Sequence, residues 1–130
     1  MRVLMVDDET EFLELMNKRL SRRGIDAVTA SSGQEALDLV DKALAGDPEE
    51  MFKVVVMDVR MPGMDGLETL RRMKAKAPEL PVVLLTGHAA TGVAVEGMDL
   101  GAYDYMLKPV SINELIVKME EAMRCSDTAL

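Results

Sequence analysis

Three acidic residues and one lysine stand at the downstream ends of short apolar segments. Asp7 and Asp8 follow an apolar segment near the start of the chain, Asp58 follows a second segment, and Lys108 follows a third. If these segments are neighbouring parallel strands, their carboxyl ends meet at one edge of the sheet. Open parallel sheets bind ligands at that edge, where the strand order reverses. We therefore expect the carboxylates and the ammonium group to share one crevice.

A crevice with three carboxylates predicts a metal site. The carboxylates would repel one another, and at least one pKa would rise unless a cation were bound. Mg²⁺ suits such a site because it prefers oxygen ligands and typically takes one or two carboxylates together with phosphate oxygens. We expect Asp8 and Asp58 to be direct ligands and Asp7 to act through a water. The backbone carbonyl of Arg60 could complete the site.

The lysine indicates which chemistry such a site could perform. Lys108 could stabilise the negative charge of an incoming phosphoryl group. Asp58 could be the nucleophile, since aspartate forms aspartyl-phosphates. Thr86 ends another apolar segment, so its hydroxyl is expected at the same edge, able to donate a hydrogen bond. Each residue type is common at strand ends, and the prediction rests on their joint placement.

Five short apolar segments predict the strands that must position these groups. They span residues 2–6, 25–30, 53–58, 81–86 and 103–107. Runs that are apolar at consecutive positions are typical of strands covered on both faces, as in a parallel sheet. Segments of helical periodicity follow each strand, which predicts a (βα)5 chain. Short right-handed connections favour a doubly wound α/β three-layer sandwich with strand order 2-1-3-4-5.

Apolar periodicity and capping residues locate the helices. In the first helix Phe12, Met16 and Leu20 recur every four residues, and Gly24 is a plausible terminator. The fourth helix, at 89–100, contains two interior glycines, each costing about 1 kcal/mol relative to alanine. It is either a short helix stabilised by packing or an element left marginal because it must shift. Three other helices begin at capping residues: Ser32, Asp65 and Ser111.

Length and composition indicate one globular domain. The 130 residues carry a net charge of −8 and include no apolar run near the roughly 18 residues of a membrane span. We expect a single domain at 1–125, a frayed tail at 126–130, no membrane contact and, without a signal-peptide pattern, a cytoplasmic location. The basic clusters at 19–23 and 71–76 lie on amphipathic helices and are interpreted as solvated faces. Direct nucleic-acid binding is not expected.

The chain resembles the receiver domain of bacterial two-component response regulators, which has a flavodoxin-like fold. The matching pieces are residues 3–9, residues 57–66, Leu85-Thr86-Gly87 and residues 101–109. The stretch from Asp58 to Gly66 and the ending Lys108-Pro109 are the most specific of these. The resemblance extends from the first strand to the last helix. In that family the helix-to-strand connection that corresponds to residues 46–52 is usually shorter.

The resemblance implies a role for each residue of the predicted crevice. Asp58 corresponds to the phospho-acceptor, and Asp7 and Asp8 correspond to the acidic pair that binds Mg²⁺. Thr86 and Lys108 correspond to the hydroxyl and the lysine that contact the phosphoryl group. A sensor histidine kinase or a phosphotransfer protein would be the donor. The chain would catalyse its own phosphorylation and slow hydrolysis without being a turnover enzyme.

The resemblance also implies an output surface. Tyr105 matches an aromatic switch position, whose ring moves inward when the threonine is drawn to the phosphate. A downstream effector would bind the face formed by the fourth helix, fifth strand and fifth helix, and activation could produce a homodimer. No effector domain is expected within these residues, so the chain would be a stand-alone regulator or part of a larger one. His88, near Thr86, is interpreted as an ordinary loop residue.

Two other functions remain open from the sequence. The first is a phosphatase with an aspartate nucleophile. Such enzymes typically carry a second acid two residues later, where this chain has Arg60. The second is a flavodoxin-like nucleotide binder, which needs a loop rich in glycine, serine or threonine after the first strand. This chain has an acidic loop at 7–10, which would repel bare phosphate.

Overall fold

A computed structural model describes residues 2–60, 65–87 and 91–128. The strands are β1 Arg2–Val6, β2 Asp26–Ala30, β3 Val54–Asp58, β4 Val82–Thr86 and β5 Asp104–Leu107. The helices are α1 Thr10–Ser21, α2 Gly33–Ala45, α3 Gly66–Lys76, α4 Thr91–Asp99 and α5 Ile112–Thr128. A short 3-10 helix, Pro48–Glu50, lies between α2 and β3. No helix in these described ranges has the length and apolar composition needed to cross a membrane.

The five strands form one parallel sheet in the order β2-β1-β3-β4-β5, which confirms the predicted topology. Val6 pairs with Met57 across β1 and β3, and Asp58 pairs with Leu85 across β3 and β4. The carboxyl ends of β1, β3 and β4 are therefore aligned at one edge. The residues that follow β1, end β3 and end β4 reach that edge together.

Two hydrophobic cores lie on the two faces of the sheet. Val3 and Met5 of β1 pack with apolar residues of α1 and α5, whereas Leu4 and Val6 pack with apolar residues of α2 and α3. Strands β3 and β4 are buried at every position. This burial on both faces explains why their sequences are continuously apolar rather than alternating.

The capping residues begin α2 and α3 as predicted. Asp65 Oδ1 accepts a hydrogen bond from the Glu68 amide at 2.8 Å. Ser32 Oγ accepts one from the Glu35 amide at 3.1 Å. The Glu35 carboxylate in turn accepts a hydrogen bond from the Ser31 amide, not from the amide of Ser32 itself as in a capping box. Both helices still have a satisfied amide in their first turn.

The ends of α1 and α5 differ in how well the sequence located them. Gly24, with φ of 75°, follows α1 and permits the Ile25 amide to bond back to the Leu20 carbonyl at 3.0 Å. Helix α5 continues to Thr128, and the division into a domain at 1–125 and a frayed tail at 126–130 stays a prediction. No glycine or proline interrupts residues 111–128, and nothing in that stretch forces the helix to stop.

The connection between α2 and β3 lies at the amino edge of the sheet, away from the aligned strand ends. Asp47 Oδ1 accepts from the Glu49 amide at 2.9 Å and begins the 3-10 turn. Phe52 is buried, and the Arg2 guanidinium lies 5.0 Å from the centre of its ring. The predicted long connection is therefore an ordered structure that does not contribute to the crevice.

Packing explains one of the two glycines of α4. Gly97 is buried against β4, and a Cβ at that position would overlap Leu84 Cδ1. At Gly92 a Cβ would meet nothing within 4 Å. Gly97 thus permits close packing, which favours the interpretation of α4 as a helix stabilised by packing. Gly92 has no such reason in the structure.

Candidate functional site

Four carboxylates converge at the carboxyl edge of the sheet. Asp7 and Asp58 are buried, with only 1% and 6% of their surface exposed. Asp8 and Glu9 are exposed on the loop that follows β1. Each of the four residues offers an oxygen within 4.8 Å of the others. Such a set of oxygen atoms is suited to one hard divalent cation, which would neutralise part of their charge.

Lys108 lies within the same cluster. Its Nζ is 2.7 Å from Asp7 Oδ2, 3.4 Å from Asp58 Oδ2 and 3.7 Å from Glu9 Oε1. The structure thus brings together the carboxylates and the ammonium group that the sequence placed on separate strands. Asp8, Asp58 and Lys108 share one site, although 50 or more residues separate them along the chain.

The electrostatics of the cluster favour an additional cation. Burial raises the pKa of Asp58, and the neighbouring Asp7 carboxylate raises it further, while Lys108 and the Arg60 amide act in the opposite direction. Burial opposes the charge on Lys108, but its contacts with Asp7 and Asp58 outweigh this effect and raise the Lys108 pKa. Lys108 therefore remains protonated at neutral pH, and its attraction does not outweigh the burial and the Asp7 charge that raise the pKa of Asp58.

The backbone after β3 is held in place by a close approach of α3. The Gly66 amide donates to the Val59 carbonyl at 2.8 Å, and the Val59 amide donates to the Leu85 carbonyl at 3.0 Å. A Cβ on residue 66 would lie 2.5 Å from the Asp58 carbonyl oxygen and 2.6 Å from Val59 Cα. Only glycine permits this approach, so Gly66 helps to fix the position of Asp58.

Thr86 and Lys108 are linked through their backbones. The Lys108 amide donates to the Thr86 carbonyl at 2.8 Å, and the Lys108–Pro109 peptide is cis. Thr86 is buried at the end of β4, one residue beyond the partner of Asp58 in the ladder. Its position at the site edge agrees with the sequence, and the role of its hydroxyl stays a prediction.

The predicted roles of Arg60 and Tyr105 stay predictions, although both residues lie in the described part of the structure. The Arg60 amide donates to Asp58 Oδ1 at 3.2 Å, and its carbonyl stays only a predicted metal ligand. Tyr105 lies on β5 opposite Leu84 and is 41% exposed. Its role as a switch stays a prediction. His88 lies outside the described residues.

Two residues of the site were not predicted from the sequence. Glu9 lies within the matching residues 3–9 and had no predicted role, yet its carboxylate belongs to the cluster and approaches Lys108. Its position directly after Asp8 was the available signal. Phe12 was assigned only to the apolar stripe of α1, yet its ring centre lies 4.7 Å from Lys108 Nζ. No pattern in the sequence distinguishes this ring from an ordinary core residue.

Comparison with known families gives one match over most of the chain. A family model described as the response regulator receiver domain matches residues 3–120. That range includes every residue of the site described above.

Individual relatives agree with this match. Response regulator MprA of Mycolicibacterium vanbaalenii is 37% identical over 123 residues, covering 95% of this chain and 50% of that protein. Transcriptional regulatory protein FixJ of Bradyrhizobium diazoefficiens is 35% identical, covering 98% of this chain and 58% of that protein. The chain thus spans about half the length of such curated relatives.

Solved structures show the same architecture. The crystal structure of a response regulator receiver domain protein from Clostridium thermocellum matches with a TM-score of 0.88 and 29% identity. The match covers 99% of this chain and 98% of that one. A CheY-like receiver domain protein from Methanospirillum hungatei also gives a TM-score of 0.88, with 26% identity and the same coverage.

Proposed function

The chain belongs to the response regulator receiver domain family of two-component signalling, and we propose that it is a conformational switch phosphorylated on Asp58. The proposed donor is a sensor histidine kinase or a phosphotransfer protein in the cytoplasm. One observation carries the proposal: Lys108 Nζ lies between the buried carboxylates of Asp7 and Asp58, inside a cluster of four acids. This arrangement supports transfer of a negatively charged group to Asp58.

The proposed reaction is a displacement at phosphorus. An Asp58 carboxylate oxygen attacks the phosphorus and forms a mixed anhydride, while the bond between phosphorus and the donor atom breaks. The donor atom, a histidine nitrogen or an acyl oxygen, leaves with the electron pair. The ionised form of the carboxylate makes the attack, so this step requires no general base. Phosphoryl transfer depends mainly on in-line positioning and on neutralisation of the phosphoryl oxygens.

The donor set fits Mg²⁺ as the cofactor. All four side chains in the cluster are carboxylates, and the neighbouring Asp7 carboxylate adds to the burial that raises the pKa of Asp58. We propose that Asp7, Asp8, Asp58 and the Arg60 carbonyl hold the ion, directly or through water. When bound, Mg²⁺ would neutralise charge on the phosphoryl oxygens and orient them.

Lys108 is suited to receive the phosphoryl group. Its Nζ is closer to Asp7 than to Asp58, at 2.7 Å against 3.4 Å. The ammonium group can therefore contact a phosphoryl oxygen on Asp58 while it keeps its hydrogen bond to Asp7. We propose that Thr86 donates its hydroxyl to another phosphoryl oxygen, since it ends the neighbouring strand.

The proposed output surface lies on α4, β5 and α5. The hydrogen bond from the Lys108 amide to the Thr86 carbonyl connects this region to the site. Val95, Met98 and Leu107 are exposed there beside Tyr105. Exposed apolar groups of this kind are typical of a partner surface. Movement of Thr86 toward the phosphoryl group, followed by Tyr105, would alter this surface for an effector or for a second copy of the chain.

The test is labelling with a small phosphoryl donor. Purified chain incubated with acetyl phosphate and Mg²⁺ is expected to gain one phosphoryl group that hydroxylamine removes, as expected for an acyl phosphate. Asp58→Asn should abolish labelling. Asp38→Asn is a matched control because the exposed Asp38 accepts a hydrogen bond from Gln34 that asparagine can also accept.

Three outcomes would contradict the proposal. These are no labelling of the wild-type chain, labelling that survives in Asp58→Asn, and equal labelling after chelation of Mg²⁺. Multiple turnover on small phosphate esters would instead support the alternative function, a phosphatase with an aspartate nucleophile. The switch predicts at most a slow hydrolysis of its own acyl phosphate.

A further inference from the structure

We propose that Phe12 is a positioning residue that holds the Lys108 ammonium group in the orientation required for phosphoryl transfer. This inference rests on the proposed function, and it deepens the account of the same site. Phe12 lies in the first turn of α1, directly after the acidic loop. Its ring centre is 4.7 Å from Lys108 Nζ, within the range of a cation–π contact.

The contacts of Lys108 show what the ring adds. One hydrogen bond, to Asp7, has normal length, and the contact with Asp58 is long. Glu9, at 3.7 Å, is beyond hydrogen-bonding distance and is largely exposed. The Lys108 side chain is nevertheless only 17% exposed. The ring therefore occupies space beside the ammonium group that water would otherwise fill.

The Phe12 ring preorganises the Lys108 ammonium group. A lysine carries its charge on a flexible four-carbon stem with three rotatable donors, so many orientations compete. An aromatic face attracts the ammonium group without accepting one of its hydrogen bonds in the way a carboxylate does. Phe12 can thus restrict Lys108 while leaving an N–H free to reach a phosphoryl oxygen. Groups fixed before the reaction lower the barrier because they need not reorganise during it.

Phe12 also packs against the core formed by α1, α5 and the sheet, so its two roles must be separated. Phe12→Leu keeps an apolar side chain but removes the aromatic face. Phe12→Tyr keeps the face. Phe52→Leu is the matched control, because Phe52 also has a cation above its ring, Arg2 at 5.0 Å, but lies at the opposite edge of the sheet.

The kinetic test measures labelling of Asp58 with acetyl phosphate at saturating Mg²⁺. We expect Phe12→Leu to be about threefold to tenfold slower than wild type, from the usual strength of a partly buried cation–π contact. Phe12→Tyr should retain most of the rate, and Phe52→Leu all of it. In a Lys108→Met background, Phe12→Leu should cause no further loss, because its effect acts through Lys108.

A spectroscopic test in the absence of Mg²⁺ and donor examines the contact itself. The ring should shift the NMR signals of the Lys108 ε-methylene protons upfield in wild type and in Phe12→Tyr, and Phe12→Leu should lose that shift. If acetyl phosphate fails to phosphorylate the wild-type chain, the proposed function is overturned. The NMR shift would still decide whether Phe12 contacts Lys108. A missing shift, a wild-type rate in Phe12→Leu, or an equal slowing in the Lys108→Met background would overturn the inference.

Discussion

The carboxyl edge of the sheet and the surface formed by α4 and β5 differ in how their residues are held. At the edge, Asp7 and Asp58 are almost fully buried. Lys108 contacts both carboxylates, and the Arg60 amide donates a hydrogen bond to Asp58. The Gly66 amide donates to the Val59 carbonyl directly after Asp58. On the surface, Val95 is 59% exposed and Leu107 is 48% exposed.

The difference separates chemistry from output. A buried edge with fixed donors can position a reacting group, whereas an exposed apolar surface has few contacts to lose when it rearranges. The two regions meet where the Lys108 amide bonds to the Thr86 carbonyl. The variants below test this contrast.

Replacement of Lys108 is expected to have the largest effect. Lys108→Met should slow labelling of Asp58 about 100-fold, because it removes the cation that faces the incoming charge. It should also lower the free energy of unfolding by about 2 kcal/mol, because Asp7 loses its partner while buried. Lys118→Met is the control, because Lys118 lies on α5 and its Nζ is also 2.7 Å from a carboxylate oxygen, that of Asp104 on β5. Equal slowing of Asp58 labelling in Lys108→Met and Lys118→Met would contradict a special role of Lys108 in the transfer.

Replacement of Gly66 tests the close packing of the edge. Gly66→Ala should lower the free energy of unfolding by about 2–3 kcal/mol, because the new Cβ would meet the backbone of Asp58 and Val59, which cannot rotate away. Denaturant unfolding measures the change. A loss below about 0.5 kcal/mol would show that the β3–α3 junction relaxes easily.

Asp58 should make the chain less stable at neutral pH. Its folded-state pKa is raised, chiefly by burial and then by Asp7, so the folded chain resists ionisation of this group. Stability is therefore lost as pH rises through the interval between the ordinary and the raised pKa. Asp58→Asn should be more stable than wild type by about 1 kcal/mol at neutral pH without metal.

Wild type and Asp58→Asn also provide the control for the predicted effect of Asp58 on stability. The advantage of Asp58→Asn should shrink as the pH falls toward the Asp58 pKa. Added Mg²⁺ should stabilise wild type more than the variant, since binding to the folded state alone raises stability. A variant that is less stable than wild type at neutral pH would refute the assignment of a raised pKa to this carboxylate.

The smallest expected effect is in α4. Gly92→Ala should raise the free energy of unfolding by about 0.5 kcal/mol, because alanine is a better helix former and a Cβ there meets nothing within 4 Å. Gly97→Ala, whose Cβ would overlap Leu84, should instead destabilise. Thermal unfolding of the pair decides whether the two glycines differ. Labelling of Asp58 should remain unchanged in Gly92→Ala.

The topology and the meeting of the site groups could be predicted because they follow from chain order. Continuous apolar runs located β3 and β4, and the alignment of parallel strand ends then brought Asp58 close to Asp7 and Lys108. The sequence could not place the end of α5, since no breaker marks it. The contact of Phe12 with Lys108 was also hidden, because it depends on side-chain orientations that no periodicity encodes.

The central claim is that Asp58 accepts the phosphoryl group. Borohydride reduces an acyl phosphate on aspartate to homoserine, and peptide mass spectrometry locates the altered residue. After treatment with acetyl phosphate and Mg²⁺, the account predicts homoserine at position 58 and nowhere else. Unaltered aspartate at 58 in a labelled chain, or homoserine at another acidic residue, would contradict it.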